Sequence, residues 1–212
     1  MELVIGNQNY SSWSLRPWVL LKQFNIEFTQ RKIALFTDKT LQEMSSVCPN
    51  NKVPVLIDQQ EKIWDSLAIC EYINEQYLHG KAYPEKALDR AKARSICAEM
   101  HTSFFALRSE MPMNCRRTPK AINYSQDCQN DINRILAIWQ ECLAQSSGPC
   151  LFGAFSIADA FYLPVVSRLH SYQVTVPENI KNYMNHMLTL PAYQLWLEAA
   201  KAEQEVIEDG EV

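Results

Sequence analysis

Asn50-Asn51-Lys52-Val53-Pro54-Val55-Leu56-Ile57 decides the fold. A proline directly before an apolar run cannot donate to a sheet ladder, so it belongs where a strand begins. The two asparagines ahead of it tolerate positive φ better than most residues. Together they are compatible with a turn that presents backbone groups beside a cis proline, while an ordinary trans proline is the default of X–Pro bonds and the residues alone leave the two open. Downstream, Val55-Leu56-Ile57 and Ile63-Trp64 flank Asp58-Gln59-Gln60, the pattern of a hairpin. Asp65-Ser66 then precedes Leu67, Ile69, Cys70, Ile73 and Tyr77, a helix with cap-forming residues at its start. Upstream, Leu3-Val4-Ile5 reads as a strand. Residues 15–24 read as a helix with Leu15, Trp18, Val19 and Lys22 on one side. Phe28–Ile33 reads as a second strand and Lys39–Ser46 as a short helix. The order is βαβ, a helix, then ββα, an α/β front domain with helices on a mixed sheet.

The character changes after Tyr77. His79-Gly80-Lys81-Ala82-Tyr83-Pro84 reads as a linker, dividing the chain into a front domain (1–79) and a back domain (85–212). Ile132, Ile135, Leu136, Trp139 and Leu143 follow helical spacing, as do Ile180, Tyr183, Met184, Met187 and Leu188. Pro177 and Pro191 stand where a first helical turn begins. The back domain is therefore all helical. Glu203, Glu205, Glu208, Asp209 and Glu211 predict a solvated, partly frayed acidic tail.

Composition narrows the function. The 212 residues are 47% hydrophobic and 21% charged, enough to bury a core. Five glycines are too few for a sandwich or barrel built on many tight turns. A net charge of −4 disfavours nucleic-acid binding. No run of 18 apolar residues predicts a membrane span, and Met1–Ile5 lacks the marks of a signal peptide. Seven cysteines, odd in number and never two residues apart, read as reduced thiols in the cytoplasm rather than as a metal or dithiol site. The four histidines share no metal-ligand spacing, so no metal is expected.

Two further segments bear on chemistry. Tyr10-Ser11-Ser12-Trp13-Ser14 puts three hydroxyls between the first strand and first helix. A helix starting near Ser14 leaves Pro17 in the tolerated first turn, whereas a start at Ser12 predicts a local kink. A hydroxyl and a helix N-terminus aimed at one spot would stabilise a bound thiolate. Ser156 and Asp159 fit the Ser-x-x-Asp capping box before an apolar helix, a folding signal.

Taken together these segments resemble the glutathione transferase family over nearly the full chain. Asn50–Leu56 is similar to its cis-proline loop, and Trp64–Ile69 to its acid-serine motif for the γ-glutamyl end of glutathione. Tyr10–Trp18 is similar to the activating-serine segment of the serine-type classes, nearest to the zeta class and its bacterial relatives. Phe155–Ala160 is similar to the capping box of the back domain. The resemblance implies a thioredoxin-like front domain and a helical back domain. Glutathione is then the co-substrate and a small electrophile the second substrate, in a cytoplasmic, homodimeric detoxification enzyme.

By the same resemblance Ser11, or its neighbour Ser12, hydrogen-bonds the glutathione sulfur. Val53 holds the cysteinyl part through its backbone beside a cis Pro54. Asp65 and Ser66 hold the γ-glutamyl amine and carboxylate, and Asn51 and Lys52 lie near the glycyl carboxylate. Asn51 stands where glycine is common and is expected to adopt the same turn. Trp13 stands where zeta enzymes carry cysteine, which weakens maleylacetoacetate isomerase chemistry. The lack of a cysteine at the first helix argues against thiol–disulfide exchange. Met100, Phe104, Phe105, Leu107, Arg108 and Met111 are expected on one long helix. There Phe104 and Met111 would wall the electrophile site and Arg108 would meet an acidic group. The rival class is a non-catalytic binding or regulatory scaffold on the same fold.

Overall fold

The computed structural model describes residues Met1–Val212. Strand β1 (Glu2–Ile5) leads through helix α1 (Ser12–Gln23) to β2 (Thr29–Lys32), and α2 (Thr40–Val47) leads to the hairpin β3 (Val55–Asp58) and β4 (Glu61–Trp64). Helix α3 (Ser66–Gln76) closes the front half. The sheet order is β2-β1-β3-β4, with β1 parallel to β2 and antiparallel to β3. Register pairs Val4 with Val55 and Val55 with Trp64. The C-end of β1, the N-end of β3 and the C-end of β4 therefore meet at one end of the sheet. The Tyr10–Ser14, Val53-Pro54 and Asp65-Ser66 segments all leave from that end.

The pleat sorts the core. Leu3, Ile5 and Leu56 join the main core, while Val4 and Val55 join a small cluster with Ile33, Met44, Val47 and Cys48 that includes the buried side of α2. The hairpin turns on Gln59 and Gln60, both at positive φ (47° and 73°). That is the two-residue geometry usually given to Asn-Gly. At the same end Asp58 accepts hydrogen bonds from the hydroxyls of Tyr72 (2.9 Å) and Tyr77, which fastens α3 to the sheet.

The back half is helical throughout: α4 (Ala87–Thr102), α5 (Phe105–Glu110), α6 (Gln126–Gln145), α7 (Ile157–Ser171), α8 (Glu178–Leu188) and α9 (Pro191–Ala202), ending in a short 3₁₀ turn at Glu208–Gly210. Helix α7 is buried on almost every side and packs on α1 and α4. A helix apolar all round belongs at the centre of a fold. Trp196 of α9 meets Trp18 of α1 edge-on with ring centroids 5.2 Å apart. One core of 48 buried apolar residues thus runs from β1 to α9 across both halves.

Several expectations are corrected. Of the two starts left open for α1 the helix takes Ser12, so Pro17 lies inside it and the Trp13 carbonyl loses an amide partner. Pro177 is the residue before α8 rather than its first. The long helix through Met111 does not exist: α4 stops at Thr102, and Phe104, at φ 64°, turns the chain into α5. The acidic tail is not frayed. Glu203 is buried, and the segment to Glu211 folds back because Lys32 and the Gln8 and Asn9 amides of the front half take up its carboxylates while Arg116 of the back half takes up its carbonyls.

The capping box forms as expected. Asp159 accepts from the Ser156 amide and hydroxyl, both at 2.9 Å, and from the Leu151 amide at 3.0 Å. Burial outweighs these donors and pushes the Asp159 carboxyl up from 3.8 to about 6. A raised acid in the folded state binds protons the unfolded chain has lost, so its contribution is full below 3.8 and fades as pH rises through 6. The unfolding free energy of the wild type minus that of Asp159→Asn should therefore fall by about 2 kcal/mol between pH 4 and 7. Urea titrations across that range measure it.

Candidate functional site

The first segment presents two hydroxyls of different standing. Ser11 is the N-cap of α1. Its Oγ accepts weakly from the Ser14 amide (3.4 Å) and donates to Ser14 Oγ at 2.8 Å. Ser14 Oγ also accepts from the Gly6 amide (3.1 Å), tying the cap to the end of β1. Ser12, at 5% exposure, makes no side-chain hydrogen bond within the chain. Both serines stand at the positive end of α1.

The second segment is open backbone. Val53-Pro54 is cis, and Asn51 has φ 53°, the turn expected of it. Neither the amide nor the carbonyl of Val53 pairs with other backbone. Such a free extended residue can accept a strand-like peptide. Lys52 is exposed beside it.

The third segment is strained and tightly held. Asp65 lies at φ 75°, ψ 132°, a region that costs a non-glycine residue about 1–3 kcal/mol and persists only when its surroundings enforce it. Its Oδ1 accepts the amides of Leu67 (2.8 Å) and Ala68 (3.3 Å), capping α3. Its Oδ2 lies 3.0 Å from His101 Nε2 on α4. Burial holds the His101 pKa below its ordinary value against the pull of Asp65, so His101 is neutral at pH 7 and donates Nε2–H. Ser66 is 1% exposed, and its Oγ accepts from Arg16 Nη1 at 3.2 Å.

Arg16 and His101 were not singled out by sequence reasoning. The Arg16 guanidinium is fully buried, 4.2 Å from the Trp13 ring centre and 4.5 Å from that of Phe161. It has no carboxylate partner, and Nε and Nη2 carry no hydrogen bond. Burial, then the charges of Arg108 and Arg168, lower its pKa to about 9. The signal was an arginine within the apolar run Leu15-Arg16-Pro17-Trp18-Val19. His101 meets the Trp13 ring edge-on at 5.2 Å, so Trp13 joins α1 to α4 beside Asp65.

The expected electrophile wall is placed differently. Met111 is fully buried, and its carbonyl accepts from Arg168 Nε at 2.8 Å. Phe104 is 5% exposed within the same core. Both pack rather than line a cleft because the chain turns at Phe104. Arg108 stacks 4.9 Å over Trp13, but Nε and Nη2 donate to the carbonyls of Ser103 (3.0 Å) and Met100, which caps the end of α4. A surface groove of about 1090 Å³ lies behind the linker around His79–Lys86 and includes none of these groups. The chemistry, not the volume, marks the site.

Two family models match the chain, the N-terminal domain of glutathione S-transferase over residues 10–76 and its C-terminal domain over residues 87–199. A probable maleylacetoacetate isomerase of Caenorhabditis elegans is 24% identical over 185 residues, covering 86% of either chain. The glutathione S-transferase-like protein OpS6 of Beauveria bassiana is 26% identical over 196 residues, covering 87% of this chain and 85% of its own. Among solved structures, a Burkholderia glutathione transferase homologue with bound glutathione superposes with a TM-score of 0.74 at 20% identity, over 95% of this chain and 98% of its own. A bacterial zeta-class maleyl pyruvate isomerase superposes with a TM-score of 0.73 at 20% identity, over 97% and 100%. At these identities the structural likeness is one of fold.

A buried cation without an anion is costly to the fold, and an apolar residue of similar length often replaces it without loss. Arg16→Met should leave the unfolding free energy unchanged or raise it by up to about 2 kcal/mol. Urea denaturation at neutral pH checks it, and a fall of similar size would mean that Ser66 and the two rings fully compensate the charge.

Proposed function

Because the chain belongs to the glutathione S-transferase family, we propose that it binds glutathione at this end of the sheet, helps ionise the thiol and directs the sulfur at an electrophilic carbon. The observation that carries the reading is the convergence of an α1 N-terminus bearing Ser11 and Ser12, the unpaired Val53 backbone beside cis Pro54, and the strained Asp65–Ser66 start of α3. Ser11 or Ser12 donates to the sulfur. Ser12 is the freer hydroxyl, whereas Ser11 must give up Ser14 to do so. Val53 pairs with the cysteinyl backbone. Asp65 holds the amine of the γ-glutamyl group, Ser66 its free α-carboxylate, and Asn51 and Lys52 flank the glycyl carboxylate. Asp65 spends both oxygens on the protein, so it takes the amine by sharing the oxygen that His101 already binds.

In the reaction the thiol proton leaves to solvent and the thiolate attacks. With an aryl halide the C–S bond forms and the carbon–halogen bond breaks, releasing halide. Lowering the thiol pKa by two units corresponds to about 2.7 kcal/mol of thiolate stabilisation. Residues 1–79 form the glutathione-binding unit and 85–212 the unit that carries the electrophile site, in a cytoplasmic homodimer with a role in detoxification. A second reading, isomerisation of a cis-dienoic diacid, is favoured by the likeness to a probable maleylacetoacetate isomerase along most of the chain. It is tested with that substrate class. Binding without turnover would leave the regulatory scaffold.

Turnover of chlorodinitrobenzene with glutathione should fall at least about tenfold in the variant of whichever serine meets the sulfur, Ser11→Ala or Ser12→Ala. Equal rates in both single variants and the wild type would move the donor role to a backbone amide. No turnover and no glutathione binding by calorimetry would sink the enzyme reading.

A further inference from the structure

The turn that delivers Ser11 is held by the far end of the chain. The amides of Tyr10 and Ser11 donate to the carbonyl of Asn7 (3.2 and 2.8 Å), which closes the turn but leaves the Gln8 and Asn9 amides without a local acceptor. Glu203, just past α9, supplies both acceptors. Its Oε1 takes the Gln8 amide at 2.8 Å and its Oε2 the Asn9 amide at 3.1 Å. The carboxylate is 7% exposed, and Lys32 Nζ lies 3.4 Å away. A buried carboxylate needs donors and a counter-charge, and this one has both. Lys32 is shared with Glu205, whose Oε1 it binds at 2.8 Å, so one ammonium serves two carboxylates of the segment.

The rest of the segment is fastened in the same place. Arg116 donates to the carbonyls of Glu203 (2.5 Å) and Glu205 (2.8 Å) and to the Tyr10 hydroxyl (2.8 Å). The Tyr10 hydroxyl donates to Glu211 at 2.5 Å. Gly210 lies against the Tyr10 ring, where a Cβ would come within 2.6 Å of Cδ1. Asn114 donates to the Gly210 carbonyl (3.1 Å) and accepts from Asn9 Nδ2 (3.0 Å). Val206 and Glu211 also close one side of a cavity of about 490 Å³ over Arg116 and Arg117.

From this geometry we infer that residues 203–211 form a strap that sets the conformation of the Asn7–Ser11 turn, with Glu203 as its positioning residue for the serine that activates the thiol. The inference rests on the proposed role of that serine loop. A hydroxyl displaced by about 1 Å loses much of its effect on a reacting sulfur, so the clamp acts on catalysis without touching substrate. The full chain is tested as Glu203→Ala, Glu203→Gln and Glu208→Gln, the last an exposed position on the same segment.

Amide hydrogen exchange without glutathione should quicken at Gln8 and Asn9 by about tenfold in Glu203→Ala. It should quicken less in Glu203→Gln, which keeps one acceptor, and stay unchanged in Glu208→Gln. If Glu203→Ala fails to fold, Glu203→Gln carries the comparison. In turnover, Glu203→Ala should lower kcat about tenfold, move the acid limb of the pH profile upward and change KM for glutathione less than about threefold, with partial rescue in Glu203→Gln. Unchanged exchange overturns the strap whatever the activity. Quickened exchange with an unmoved pH profile overturns the positioning role. A wild type that does not turn over glutathione overturns the reading of function instead, and the exchange result still decides the strap.

Discussion

The guanidinium of Arg16 is the constraint around which both halves are arranged. It sits in α1, reaches Ser66 at the start of α3, and lies between the Trp13 and Phe161 rings, the second of which belongs to α7. One side chain thus joins the first helix, the acid-serine segment and the central helix of the back half. Without a carboxylate its charge is met only by a hydroxyl and two ring faces. Cation–π contacts of this kind gain about 2 kcal/mol when desolvated, less than the charge loses on burial. The deficit falls on the fold and is covered by the core that α1 shares with α7 and α9.

That arrangement explains which features were legible in the sequence. The proline that opens β3, the hairpin and the cap at Asp65 are local signals, each written within a few residues, whereas the cis state of Pro54 is implied by the family resemblance. Position along the strands then places the three segments together, because strand direction alone decides which ends meet. The seat of Arg16 is not local. Its partners come from residues 13, 66 and 161, and a helical apolar face does not say that a charge within it is enclosed. His101 is similar: its ring spacing carries no pattern, and only the approach of α4 to Asp65 gives it a partner.

The misread elements share a physical cause. Five acidic residues near the chain end look like a solvated tail when counted along the sequence. Their partners, Lys32, Arg116 and the Gln8 and Asn9 amides, lie from 87 to 195 residues away, and charge pattern does not report such pairing. The broken helix after Thr102 is read wrongly for the opposite reason. The family resemblance places residues 100–111 on one long helix, and the apolar Phe104 and Leu107 do not mark a break. A single residue at φ 64° is enough to end it, and Arg108 then caps the carbonyls it leaves open.

Positive φ occurs at both ends of the sheet, at Gln59 and Gln60 as at Asn51 and Asp65, but unmet hydrogen-bonding groups do not. At the hairpin end, Asp58 is satisfied by two tyrosine hydroxyls and the turn serves only pairing. At the other end stand Asp65 and Asn51 at positive φ, a Val53 backbone without backbone partners, a buried arginine with two orphaned nitrogens and a serine hydroxyl with no partner. Each is unfavourable for the chain alone; the Arg16 nitrogens are enclosed, whereas the Val53 backbone and the Ser12 hydroxyl are groups that a peptide bearing a thiol could engage. Structures give up local satisfaction where something else is meant to provide it. The end of the sheet with unmet groups is therefore the end to which the proposed glutathione site is assigned.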